Sequence, residues 1–243
     1  MINKNIPRLY INKKLTENKT IDLDEKTRHY LKNVLRLSKG REIHIFNGID
    51  GEWNSIIFDD NFNLKCSAQI RKQTKKYGPN IYFALIKGVN LKWMIEKATE
   101  LGVNILNPII TDHTFVKDFN EKKLLLNIKE ACEVSQRLNL PTLAKIKKLT
   151  QCLKEIKDKR ETLVFCNEKR DDIYLHEYLA ENFENNMSFL IGPEGGFSTR
   201  EYDFLKKNPY VVSVKLNNRL LRAETAAILT LSTYNIYRIK NSD

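Results

Sequence analysis

Cysteine is scarce in this chain and nowhere clustered. The four residues Cys66, Cys132, Cys152 and Cys166 form no CxxC and no Cys/His spacing. Neither a zinc centre nor a disulfide framework is therefore expected, and a reducing cytoplasmic compartment is. Long apolar runs are lacking too, since none approaches the roughly 18 residues that a membrane helix needs. Met1 to Lys14 alternates charged and apolar residues, which excludes a signal peptide. The histidines His29, His44, His113 and His176 share no motif and read as structural. There is no internal repeat and no low-complexity segment. Only nine glycines occur in 243 residues, so three of them within the stretch Gly192 to Gly196 single that stretch out.

What is abundant is positive charge. Lysine and arginine number 41 against 30 acidic residues, a formal net charge of +11 with a pI near 9.4. That excess favours a polyanionic partner, although solubility alone also accounts for a basic protein. The first 72 residues hold 14 basic and 9 acidic side chains, so the excess is denser at the N-terminal end. With 42% hydrophobic and 29% charged residues the composition is that of a soluble folded protein.

The pattern of apolar residues changes along the chain. From Arg41 to Arg71 it is strand-like: Ile43 and Ile45 alternate with polar neighbours, and Leu64, Cys66, Ala68 and Ile70 alternate again. Turn signals at Asn47-Gly48, Asp50-Gly51 and Asp59 to Asn61 separate them. A helix is expected ahead of them, from Asp24 to Leu37, with Tyr30, Leu31, Val34 and Leu35 on one face and an end at Gly40. The sum is a small antiparallel barrel carrying one helix. A polar, basic stretch from Arg71 to Pro79 reads as a linker.

Beyond it the grammar is α/β. Ile81 to Ile86 is the continuous apolar run of a parallel strand buried on both faces. A helix follows that Asn90 can cap and Gly102 can stop. Further runs at Ile105 to Ile110, Leu163 to Cys166, Phe189 to Ile191 and Val211 to Leu216 alternate with helical segments at Asn120 to Arg137 and Ala223 to Ile239. The domains are therefore placed at 1–72 and 73–243.

Three segments carry chemistry. In Phe189 to Glu201 a buried strand runs into a glycine-rich loop, and Ser198 with Glu201 forms a capping box that opens a helix. Glycines at the carboxyl end of a strand let backbone amides approach a ligand, at the place where open α/β sheets bind one; a tight turn alone would use them as well. No Gly-Lys-Ser/Thr follows and the spacing is not GxGxxG, so neither a P-loop nor a dinucleotide site is supported. In Lys215 to Ala226 a strand end again leads through a loop into a long helix, and Arg219 and Arg222 on that loop suit phosphate or base recognition. Cations are disfavoured at a helix N-terminus, which points to a task for Arg222. The third is Arg137, placed at the end of its helix, where a cation complements the dipole and structure explains it as well as function does.

The segments Leu91 to Val103 (LKWMIEKATELGV), Glu130 to Pro141 (EACEVSQRLNLP), Leu190 to Ser198 (LIGPEGGFS) and Leu216 to Ala226 (LNNRLLRAETA), in that order and spacing, closely resemble the RsmE family. These are 16S ribosomal RNA uracil-N3 methyltransferases of the SPOUT class, and Arg28 to Leu37 also looks like them. The resemblance spans nearly the whole chain. It implies an N-terminal PUA-like RNA-binding β-barrel, a C-terminal α/β domain with a parallel sheet and a trefoil knot, a homodimer, and S-adenosylmethionine as cofactor. Gly88 alone after the first buried strand likewise speaks against a Rossmann methyltransferase. The resemblance implies a cofactor site from Asn167, Glu168, Ile191, Gly192, Pro193, Glu194, Gly196, Leu216, Asn217, Arg219, Leu220 and Leu221. Arg222, Arg219 and Glu224 are the catalytic candidates, with Glu194 a second possible proton acceptor. Arg28, Lys32, Arg36, Arg71, Lys72 and Arg137 are the RNA-binding candidates, joined by Lys75 and Lys76 of the linker.

The chain departs from the family pattern in three places. Asn217 stands where Gly is usual, and Asn is the non-glycine residue that best tolerates positive φ. Gln136 replaces a common Gly, and Thr111-Asp112-His113 replaces the usual Ser/Thr-Glu-Arg and so lacks a positive charge. The expected partner is 16S ribosomal RNA or the small subunit, with no membrane and no metal. The rivals are a SPOUT enzyme acting on a ribose 2′-hydroxyl and a non-catalytic RNA-binding ribosome-assembly protein.

Overall fold

The computed structural model describes residues 6–74, 78–169 and 172–241. The chain divides into two compact units, Met1–Lys75 with Cys132–Leu140, and Lys76–Ala131 with Pro141–Asp243. The linker lysines Lys75 and Lys76 lie outside the described residues.

The first unit is built on five strands: β1 (Arg8–Tyr10), β2 (Thr20–Ile21), β3 (Glu42–Phe46), β4 (Glu52–Ile57) and β5 (Leu64–Arg71), in the order β1-β3-β4-β5-β2. The alternation read at Ile43 and Ile45 holds both side chains in the core with Leu9, Ile21, Leu31, Ile57, Leu64 and Cys66. The sheet is not wholly antiparallel, because β1 pairs parallel with β3, bringing Arg8 opposite His44. The strands after residue 41 were legible by period; β1 and β2, of three and two residues, are too short to show one.

The expected helix is cut shorter. Asp24 caps α1 (Glu25–His29), its Oδ1 accepting the Thr27 amide at 2.7 Å. The chain then widens into a π-helical turn, Tyr30–Val34, that buries Leu31. Arg36 takes a left-handed conformation, φ 51°, and stops the coil four residues before Gly40.

A buried carboxylate organises this unit. Glu52, 2% exposed, accepts the guanidinium hydrogens of both Arg8 and Arg71. A charge taken out of water is tolerable only when paired and hydrogen-bonded, and here two cations and one anion share the site. Arg8 also donates to the carbonyls of Cys132 and Glu133 at 2.9 and 2.8 Å and of Arg137 at 3.1 Å, and Arg71 to that of Gln136 at 2.9 Å. The arginines thereby satisfy carbonyls that a helix C-terminus leaves open.

In the second unit seven strands form one parallel sheet: β6 (Asn80–Ala84), β7 (Ile105–Ile110), β8 (Thr142–Leu143), β9 (Lys147–Lys148), β10 (Leu163–Cys166), β11 (Ser188–Ile191) and β12 (Val211–Val214). The order is β12-β10-β11-β6-β7-β8, with β9 also on β7. Its helices are α2 (Gly88–Glu100), α3 (Glu121–Val134), α4 (Leu149–Lys159), α5 (Leu175–Asn182), α6 (Thr199–Lys206) and α7 (Ala223–Lys240). Side chains alternate across β10: Leu163 and Phe165 join Cys152, Leu153 and Ile156 of α4 and Tyr202 and Leu205 of α6 in one core. On α7, Tyr234 meets Phe189 of β11 edge to face at 5.9 Å, and α2 and α5 pack against α7.

Two helix boundaries differ from the expected ones. Lys87, not Asn90, is the cap residue of α2, so Asn90 lies inside its first turn. Asn120 does hold the start of α3, its Oδ1 accepting the Lys123 amide at 3.0 Å. That helix ends at Val134, and Gln136 follows in a left-handed conformation, φ 61°. Arg137 therefore stands beyond the turn and not at the helix terminus, and a glycine in place of Gln136 would relieve that backbone.

Candidate functional site

In parallel strands β12, β10 and β11, which neighbour one another, the carboxyl ends open on one edge of the sheet. The loops that leave them, with the start of α7, line a cavity of about 750 Å³, within the range of small-molecule sites. All twelve residues named for the cofactor line it, as do Arg222 and Glu224. Asn90 and Lys169 line it too and were not foreseen. The signal for Asn90 was its place just after β6, which reading it as a cap obscured.

The glycine-rich loop is held from two sides. The amide of Phe197 donates to Glu168 Oε1 at 3.1 Å. Gly196 adopts φ +69°, and a Cβ there would fall 2.8 Å from the same oxygen. At Gly192 a Cβ would fall 2.7 Å from the ring of Phe197, which is buried edge to face on Phe165 at 5.2 Å. Gly192 is thus needed by the loop's own packing and Gly196 by its left-handed backbone, in addition to any approach of a ligand. From the other side, the Asp112 amide donates to Glu201 Oε1 at 2.9 Å and Ser198 Oγ to Asp112 Oδ2 at 2.6 Å. His113 Nδ1 lies 3.1 Å from the carbonyl oxygens of Gly195 and Gly196. The Thr111-Asp112-His113 loop is a brace. Ser198 caps α6 through Glu201, and the capping box is complete.

In the third loop Asn217 has no positive φ. Its Oδ1 accepts the Arg219 amide at 2.9 Å, a local turn of the kind Asn makes with its own side chain. Arg219 and Leu220 are exposed. Arg222 is the N-cap residue of α7, not a member of its first turn, and its side chain makes no capping hydrogen bond. Glu224 is only 6% exposed, and its Oε2 is buried with no hydrogen-bond partner among the described residues. Cys166 also lines the cavity; burial pushes its thiol up to about 12, which disfavours the thiolate.

The RNA-binding candidates fall in the first unit. Arg28 donates to Asp22 at 2.6 Å, while Lys32, Arg36 and Lys72 are exposed. Arg71 is engaged by Glu52 and Gln136, which gives it a structural task, and Arg137 is half-buried.

Residues 75–235 match the family described as RNA methyltransferase domain, and residues 23–64 the RNA methyltransferase PUA domain. The chain is 32% identical over 230 residues to the ribosomal RNA small subunit methyltransferase E of Rickettsia conorii, covering 93% of both chains. It is 29% identical to the protein of the same name in Buchnera aphidicola subsp. Schizaphis graminum, covering 96% of this chain and 97% of that one. Among solved structures, a methyltransferase from Legionella pneumophila in complex with its bound cofactor SAM superposes with a TM-score of 0.81 at 26% identity, covering 95% of this chain and 97% of that one. The matches span both units, and the chain belongs to the RNA methyltransferase family of the ribosomal RNA small subunit methyltransferases E.

Proposed function

We propose that this chain methylates N3 of a uridine in 16S ribosomal RNA of the small subunit, with S-adenosylmethionine as donor. The observation that carries the reading is the three-loop cavity with Glu224 Oε2, unpartnered among the described residues, in its wall. The residues present fit the donor: apolar Ile191, Leu216 and Leu221 offer an adenine a surface, and the buried Glu224 Oε2 has no hydrogen-bond partner among the described residues. When bound, S-adenosylmethionine supplies a methyl group already activated by its sulfonium charge, so the protein's main contribution is positioning.

The chain's own groups supply the rest. Glu224 accepts the N3 proton; it is preferred to Glu194, which is exposed to solvent. Arg222, which lines the cavity at the start of α7, faces the negative charge that develops on the uracil oxygens. Arg219 holds the adjoining phosphate or base. Arg28, Lys32, Arg36, Lys72 and Arg137 grip the RNA backbone, an interaction that weakens with salt. Residues 1–72 act as the RNA-binding domain and residues 73–243 as the methyltransferase domain. A homodimer, the trefoil knot and a cytoplasmic location belong to the same proposal; no helix among the described residues is long and apolar enough to cross a membrane.

Mass mapping of ribosomal RNA from a strain lacking the gene, with and without its restoration, tests the reading. One N3-methyluridine of 16S RNA should vanish and return. Loss of a ribose 2′-O-methyl group instead would overturn the N3 assignment.

A further inference from the structure

Asn167 follows β10 directly and lines the cavity, yet its side chain is turned to other work. Its Nδ2 donates to Asp172 Oδ2 at 2.6 Å and to the Tyr202 hydroxyl at 3.3 Å, and its Oδ1 accepts the Lys169 amide at 2.9 Å. Both amide hydrogens are taken within the protein. What the β10 loop presents to a ligand is therefore set by how that amide is held.

Asp172 holds it, and Asp172 is absent from the cavity's lining. The same Oδ2 accepts Ser213 Oγ of β12 at 2.5 Å, and Oδ1 accepts Lys206 Nζ of α6 at 2.6 Å. One carboxylate thus joins the loop after β10, the C-terminal end of α6 and strand β12. Lys169 Nζ sits over the Tyr202 ring at 3.4 Å, so a second residue of the loop is pinned to the same helix. Burial alone would raise the Asp172 carboxyl, but the hydrogen bonds from Asn167, Lys206 and Ser213 hold it below its ordinary value.

We infer that Asp172 is a positioning residue for the cofactor: without touching it, the carboxylate fixes Asn167, and through it the wall that Asn167 to Lys169 give the cavity. A hydrogen bond to a charged group that is only partly exposed is stronger than a neutral one, and a ligand meeting a pre-ordered wall loses less on binding. The inference rests on the reading of this cavity as the S-adenosylmethionine site.

Calorimetric titration of the full chain with S-adenosylmethionine tests it. Asp172→Ala should weaken binding about tenfold, on the order of one charge-assisted hydrogen bond. Asp172→Asn, which keeps an oxygen for Asn167 and Ser213, should recover most of the loss. Asn167→Ala should weaken binding as much as Asp172→Ala, and the double variant no further, because the two residues act as one unit. In Asp172→Ala, which touches neither cofactor nor RNA, the rate of methyl transfer at saturating cofactor and the KM for RNA should stay within about twofold, a split that general loosening of the fold would not produce. If Asp172→Ala proves unstable, Ser213→Ala and Lys206→Ala each remove one donor and should each weaken binding by a smaller factor. Unchanged affinity in Asp172→Ala, or additive losses in the double variant, would overturn the role of Asp172. Failure of the wild-type chain to bind S-adenosylmethionine would overturn the cofactor reading itself, and the inference with it.

Discussion

Glu168 Oε1 accepts the backbone amide of Phe197 at 3.1 Å, which ties the loop after β10 to the glycine-rich loop after β11. The consequence is a cavity whose two walls are set by one another. Glu168→Ala removes the tie and should weaken S-adenosylmethionine binding about fivefold, equivalent to about 1 kcal/mol for one hydrogen bond. Thermal stability should move little, because Glu168 is only half-buried. Calorimetry and melting on one preparation check both. Gly196→Val is a poorer probe than the sequence suggests, since positive φ and proximity to Glu168 would strain the loop before any ligand arrives.

Arg222 makes no capping bond, and Glu224 Oε2 has no partner among the described residues. Among the described residues, Glu224 Oε2 therefore takes part in no hydrogen-bonded ion pair that would brace the loop. Arg222→Ala should slow single-turnover methyl transfer about a hundredfold, as loss of one donor to a developing anion costs about 3 kcal/mol. Cofactor affinity and melting temperature should barely change. A normal rate at saturating RNA and cofactor would remove Arg222 from the mechanism.

Removing Glu52 leaves Arg8 in a nearly closed site without its anion. Glu52→Ala should cost roughly 3–5 kcal/mol of stability, the penalty for stranding a buried charge, read as a lowered urea midpoint. Because Arg8 and Arg71 also bind the carbonyls of Cys132 to Arg137, deleting residues 1–72 would strip partners from that segment as well. RNA binding is better tested with point variants: Lys32→Ala, Arg36→Ala and Lys72→Ala combined should flatten the dependence of log K on log salt by roughly 2–3 units.

Burial lowers the pKa of His44, against the pull of Glu52 and with the repulsion of Arg8 adding to the fall. A base whose folded pKa lies below its unfolded value is protonated more readily when unfolded. Stability from this group is full above about 6.5 and is lost as pH falls below that value. Wild-type protein should lose urea resistance from pH 8 to 5 faster than His44→Gln, and parallel curves would contradict the assignment.

Much of the site was legible in the sequence, and the reasons differ by segment. β10 and β11 announce themselves as apolar runs, and the glycines and the capping box follow β11 directly, so strand, loop and helix could be ordered without coordinates. What was hidden is whatever depends on distant partners. Asp172 looks like any loop acidic residue until Lys206 and Ser213 are brought to it. Arg71 reads as part of a basic linker because the carboxylate that engages it, Glu52, lies 19 residues away. The segment Cys132–Leu140 groups with the first unit, and the Arg8 and Arg71 bonds that it receives end on backbone carbonyls, which carry no residue-type signal. Asn217 shows the limit of a motif: the residue was noted, but its conformation was set by its own side chain and not by the glycine it replaces.

The central claim is tested most directly by incubating the purified chain with small ribosomal subunits and methyl-labelled S-adenosylmethionine, then digesting the RNA to nucleosides for mass spectrometry. The account predicts label in N3-methyluridine from a single position of 16S RNA, greatly slowed in Arg222→Ala and Glu224→Gln. Label on a ribose 2′-oxygen, or none from a chain that binds S-adenosylmethionine, would contradict it.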